Sequence, residues 1–205
     1  MITLYYATGS CALASHIALE EAGADYRAER LVLKNNDQRR PEYLRINPKG
    51  RVPALVTDRG ILTETPAILA FIAQSYPAAK LMPEDPWAFA QVQSFNSYLC
   101  STVHVAHAHG GRGSRWADDP AALEAMKKKV TQNMSDCFAL IEGEMVRGPW
   151  VMGESYTIAD AYLYTLAGWL KADSVDIGQF AKVAAHRQHM EARPAVQRVL
   201  AAEQA

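Results

Sequence analysis

The chain opens with Ile2, Thr3, Leu4, Tyr5 and Tyr6, a β-branched and aromatic run that predicts a strand. Thr8-Gly9 predicts a turn, and over 10–22 the pattern changes to Leu13, Ile17, Ala18 and Ala22. That spacing lines one face of a helix, closed by Gly23. A second strand is expected over 26–32 and a short helix over 41–46, broken by Asn47-Pro48-Lys49-Gly50. The apolar runs 52–57 and 61–63, around Asp58-Arg59-Gly60, read as a hairpin. Thr65-Pro66 then starts a helix bearing Ile68, Leu69, Phe71 and Ile72, with Thr65 expected at N-cap and Pro66 at the first helical position. The order β-α-β-α-β-β-α predicts a mixed sheet with helices on its faces.

After 77 the two-residue alternation stops. Pro77, Pro83 and Pro86 mark a linker over 78–86. Beyond it only helical periods follow: 87–110 with Val92, Phe95, Leu99 and Val103, then 121–145 with Leu123, Met126, Val130, Met134, Cys137, Phe138 and Ile141. The stretch 158–170 is apolar almost all round, as a buried helix is. Shorter patterns over 179–191 and 195–202 finish the chain. The fold class is therefore α/β plus all-α, with 1–77 as the sheet domain and 87–205 as the helical one. Thr157-Ile158-Ala159-Asp160 has the form of a capping box, and its role is structural.

Composition removes several classes. With 21 Lys plus Arg against 22 Asp plus Glu, the chain lacks the electrostatic footprint of a nucleic-acid binder. Lys127-Lys128-Lys129 fits a solvated helix face. No apolar run is long enough to span a membrane, and the amino terminus lacks the basic n-region of a signal peptide. Cys11, Cys100 and Cys137 are odd in number and widely spaced, which argues against a disulfide framework or a structural zinc site and points to a reducing cytoplasm.

Three segments carry a family resemblance. Asn47-Pro48-Lys49-Gly50-Arg51-Val52-Pro53-Ala54-Leu55 resembles the NPxGxVPxL motif of the glutathione transferase superfamily. Leu62-Thr63-Glu64-Thr65-Pro66-Ala67-Ile68 resembles its strand-to-helix glutathione motif, and Thr157 to Asp160 its buried N-cap signature. The stretch from Tyr5 to His16, with Gly9-Ser10-Cys11, is most similar to the bacterial beta class, although Ala12 stands where those members often carry Ser. The resemblance implies a thioredoxin-like first domain and a cytoplasmic, homodimeric, detoxifying glutathione S-transferase. Its co-substrate is glutathione, its second substrate a small electrophile, and it needs no metal. A zeta-like isomerase is disfavoured, because Ser10-Cys11-Ala12-Leu13-Ala14 replaces the serine-rich, arginine-bearing motif of that class.

Glutathione brings two carboxylates, one ammonium and one thiol. The resemblance implies a cis bond at Val52-Pro53, which leaves the Val52 backbone to pair with the peptide as an added strand, flanked by Arg51. Thr65, at a helix start, suits the γ-glutamyl carboxylate and Glu64 the ammonium, while Lys34 is in reach of the glycyl carboxylate. A plain N-cap and a solvated lysine would look the same. For the thiol, Cys11 ranks first, since a helix N-terminus favours thiolate, with Ser10 and Tyr5 as rivals. Cys11 as a small packed side chain is the alternative.

His104 matches the histidine that beta-class relatives place near this cysteine, with Val105 replacing a usual Lys. His104 and His107 lie one turn apart, but without an acidic or cysteine partner nearby in sequence no metal is expected. His107, Arg112, Trp116 and Tyr98 are candidates for the electrophile site, and Asn96 for contact with a partner subunit. Two other functions remain open: a glutaredoxin-like thiol-disulfide oxidoreductase acting through Cys11, and a glutathione-binding module without chemistry.

Overall fold

The computed structural model describes residues 1–204. Strand β1 (Ile2–Tyr6) leads into helix α1 (Ala12–Glu21), then β2 (Tyr26–Arg30), the one-turn α2 (Pro41–Leu44), the hairpin β3 (Ala54–Thr57) and β4 (Gly60–Thr63), and α3 (Thr65–Ser75). The sheet runs β2-β1-β3-β4, with β1 parallel to β2 and antiparallel to β3. This is the mixed, thioredoxin-like βαβαββα order that the hydrophobic pattern implies. The parallel pair needs a crossover, and α1 supplies it.

The second half is helical: α4 (Pro86–Tyr98), α5 (His104–Arg112), α6 (Pro120–Leu140), α7 (Ile158–Ala167), α8 (Ala181–Glu191) and α9 (Pro194–Gln204). The single helix expected over 87–110 is instead α4 and α5 joined through a π-turn, Leu99–Val103. Such turns are frequent beside functional sites, and this one carries Cys100. Among the described residues no helix is long and apolar enough to cross a membrane.

All ten residues of α7 are buried. Its N-terminus therefore cannot use water, and side chains take over. The capping box forms: Asp160 Oδ2 accepts from the Thr157 backbone N–H at 2.7 Å, and Thr157 Oγ1 accepts from the Ala159 N–H at 3.3 Å. Asp160 Oδ1 also accepts from the Val151 N–H at 2.7 Å and meets His186 Nε2 at 3.0 Å.

One apolar core runs through both halves, from Leu4 and Ile17 to Tyr162 and Val199. Polar pairs fasten the seam. His16 Nδ1 meets Glu203 Oε1 at 3.0 Å inside the core, and Arg193 forks onto Glu21 at 2.5 and 2.8 Å. Both pairs join α1 to the C-terminal helical segment.

Candidate active site

A cavity of about 610 Å³ lies between the halves, within the ~300–1,000 Å³ range of small-molecule sites. Its floor comes from the turn before β3. Asn47 holds that turn together: its side-chain amide donates to the Arg51 carbonyl at 2.7 Å, and its own carbonyl accepts from the Gly50 N–H at 2.9 Å. Gly50 has φ +58, and a Cβ there would sit 2.9 Å from the Gln38 carbonyl, so glycine is what lets the 37–39 turn close onto this loop. The Val52–Pro53 bond is cis. Val52 lies beyond the ladder, whose last register pairs on this side join Ala54 to Tyr5 and to Thr63.

Beside it stands the start of α3. Here the expected cap is displaced by one residue. Glu64 holds the N-cap position at φ 74, and Thr65 is already helical, buried and lining the cavity. A non-glycine residue at such φ costs about 1–3 kcal/mol and marks functional segments. Glu64 pairs with Lys49 Nζ, which also donates to Thr63 Oγ1 at 2.7 Å.

The third wall is the turn into α1. Ser10 Oγ donates to the Ala7 carbonyl at 2.7 Å and accepts from the Ala12 N–H at 3.3 Å, so this hydroxyl, although it lines the cavity, is engaged in shaping the turn. Cys11 lines the cavity with its Sγ donating to the Val52 carbonyl at 3.5 Å. Burial pushes the Cys11 thiol up, outweighing the downward pull of Thr65 and of Arg112, because removing a thiolate from water costs more than those two return.

Across the cleft, His104 on α5 lines the cavity with its ring 4.9 Å from Trp169, edge to face. Burial lowers its pKa to about 4, and Arg112 adds to the shift. His104 is thus neutral at physiological pH. Arg112 and Trp116 line the same wall.

Five candidates fall elsewhere. Tyr5 points its ring at Tyr43, with centroids 5.6 Å apart, and is not among the cavity-lining residues. Lys34 is exposed and outside the lining, and Arg39 occupies that side. His107 sits behind Trp169, stacked on it at 4.4 Å with Nδ1 2.8 Å from Asp173 Oδ2, so it braces the wall rather than forming it. Tyr98 turns toward Cys137 on α6, away from the cavity. Asn96 is fully buried within its own chain, which leaves it no surface to offer a partner. In each case a helix or strand rotation that periodicity leaves undetermined decides the direction.

The family model described as glutathione S-transferase, N-terminal domain, matches residues 1–74, and the one for the C-terminal domain matches 103–194. The chain belongs to the glutathione S-transferase family. It is 32% identical to glutathione S-transferase GstA of Escherichia coli over 98% of both chains. A glutathione transferase homologue from Sulfitobacter, solved with bound glutathione, superposes with TM-score 0.96 at 44% identity, covering 98% of each chain. A bacterial beta class glutathione S-transferase from Sphingomonas chungbukensis superposes with TM-score 0.85 at 30% identity, again over 98% of each.

For this transferase-family chain, sequence reasoning missed Arg39, Arg115, Trp169, Cys100 and Tyr162, all of which line the cavity. Trp169 and Tyr162 belong to the apolar segment read only as core. Its amphipathic tip is the signal that was there to find: the Trp169 indole N–H donates to the Gly9 carbonyl at 3.0 Å. Among the described residues, no three His, Cys, Asp or Glu side chains gather as a metal site.

Proposed function

We propose that this chain is a glutathione S-transferase that binds the tripeptide along Val52 and directs its thiol at small electrophiles. The observation that carries the reading is one cavity that joins an off-ladder backbone at Val52–cis-Pro53, the helix start at Glu64-Thr65, and Cys11. The Val52 backbone takes the cysteinyl backbone in strand fashion. Thr65 and the free N–H groups opening α3 take the γ-glutamyl carboxylate, and Glu64 takes the ammonium. Arg39 or Arg51 replaces Lys34 as partner of the glycyl carboxylate.

Cys11, held neutral by burial, turns its S–H from the Val52 carbonyl, to which it donates in this structure, to the bound sulfur, and the peptide backbone takes the freed carbonyl. A donor there favours thiolate on glutathione. In the reaction the sulfur electron pair forms the new bond to the electrophilic carbon, the leaving group departs with its own pair, and the thiol proton passes to water. His104, neutral and above the same cavity, polarises rather than charges the site.

The family resemblance supports a homodimeric, cytoplasmic, detoxifying enzyme. Exposed apolar groups fit such an assembly: Ile61 on the edge strand β4, 47% exposed, and Trp87 opening α4, 73% exposed. Calorimetry with glutathione tests the reading. Wild type should bind it with one site per chain, and Glu64→Ala combined with Thr65→Ala should weaken binding by about tenfold or more, the loss of two charge-assisted contacts. Unchanged affinity in the double variant would reject this pocket.

A further inference from the structure

Both walls of the cavity carry guanidinium groups. Arg39 and Arg51 stand on the sheet side, and Arg112 and Arg115 on the helical side, at the end of α5 and in the turn after it. Among the described residues none of the four pairs with a carboxylate. Glu64 is the one acidic side chain lining the cavity, and Lys49 already holds it. The chain as a whole has a formal charge of −1, so the positive excess is local to the cleft. Mutual repulsion is evident at Arg115: after burial, Arg51, Arg112 and Arg39 in turn push its pKa down.

Bound glutathione does not consume this excess. The peptide carries two carboxylates and one ammonium, and the sheet side accounts for all three through Thr65, one of Arg39 and Arg51, and Glu64. Arg112 and Arg115 are left on the opposite wall. Trp116, about half exposed, and Trp169 line the same cavity. Paired guanidinium forks match a carboxylate in geometry and charge, and a cleft of one sign concentrates anions.

We propose that Arg112 and Arg115 bind an oxyanion, in the first instance a carboxylate, on the electrophile, so that the enzyme selects flat, negatively charged electrophiles lying between Trp116 and Trp169. The inference rests on the glutathione reading above and adds the substrate class to it. The site is built from one charged pair and two aromatic side chains on the helical side of the cavity, whereas Thr65 stands on the sheet side.

The test compares a chloronitrobenzoate with the matching chloronitrobenzamide, each with saturating glutathione and each corrected for its uncatalysed rate. The chemistry is the same for both: the C–S bond forms, chloride leaves with the C–Cl electron pair, and the thiol proton goes to buffer. Wild type should favour the benzoate in kcat/KM by about tenfold or more. Added salt should erode the preference through the KM of the benzoate alone. Arg112→Gln with Arg115→Gln should collapse the ratio, and Arg115→Lys should keep part of it.

Glutathione binding and turnover of the amide, with no benzoate preference, would overturn the inference while leaving the glutathione reading intact. A preference that survives the double variant would overturn it equally. Absence of glutathione binding by calorimetry would defeat both readings together.

Discussion

The Trp169 indole N–H donates to the Gly9 carbonyl at 3.0 Å, tying the helical half to the turn that sets Cys11. Behind it, His107 stacks on the same indole and is held in turn by Asp173. A chain of contacts thus runs from the helical core to the loop that carries Cys11. Trp169→Phe keeps the ring and deletes the donor. It should cost about 1 kcal/mol of stability and weaken glutathione binding by about threefold to fivefold, as melting temperature and calorimetry would register. Asp173→Asn should give a smaller effect of the same kind, because the brace is one contact further away.

Cys11 is buried and its thiol is pushed above the ordinary value of 9.0. Alkylation by iodoacetamide, located by mass spectrometry, should therefore be slow at neutral pH and should keep rising, about tenfold per pH unit, without levelling off by pH 9. Saturating glutathione should protect the thiol further. Rapid alkylation at pH 7, levelling off below pH 8, would show a thiolate and restore the reading of Cys11 as nucleophile.

His104 titrates at about 4 in the folded chain against an ordinary 6.5. The folded pKa is lowered, so between those values the unfolded chain binds more protons. Stability should fall as pH drops through that window and be unaffected by His104 above it. Chemical denaturation of wild type and His104→Gln at pH 7 and pH 5 measures the difference: the variant should lose less on acidification. The same lowering keeps His104 out of the neutral limb of any rate profile, which should be insensitive to the substitution between pH 6 and 8.

Thr157 and Asp160 close the dry end of α7. Thr157→Ala should cost about 1–2 kcal/mol, the usual loss of a cap. Asp160→Ala should cost about 3 kcal/mol or more, since it strands the Thr157 and Val151 N–H groups and the buried His186 together. Thermal melts should order the variants that way. Asp160→Asn should fall between, because one acceptor oxygen remains.

Much of the cavity's sheet side was legible because its residues are consecutive. Asn47 to Pro53 and Glu64 to Pro66 form local turns whose geometry depends on neighbours in the chain, so motif and structure coincide there. For Cys11 the sequence shows the helix start but not the burial. That Cys11 stands at a helix start is a local fact. That the same sulfur is buried against the Val52 carbonyl is a long-range one, and burial outweighs the pull of Thr65 and Arg112.

Periodicity by itself determined the βαβαββα order of the first half, the all-helical character of the second, and the buried cap at Thr157-Asp160, since each follows from spacing and local hydrogen bonding. It did not determine which way a helix turns its second face. Only the packed structure places Arg115 and Trp169 in the cleft, removes Tyr5, His107 and Tyr98 from it, and seals Asn96 inside. The physical reason is that an apolar stripe specifies the side of a helix that meets the core, while the side that meets the cavity depends on how α5 and α7 are set against the sheet.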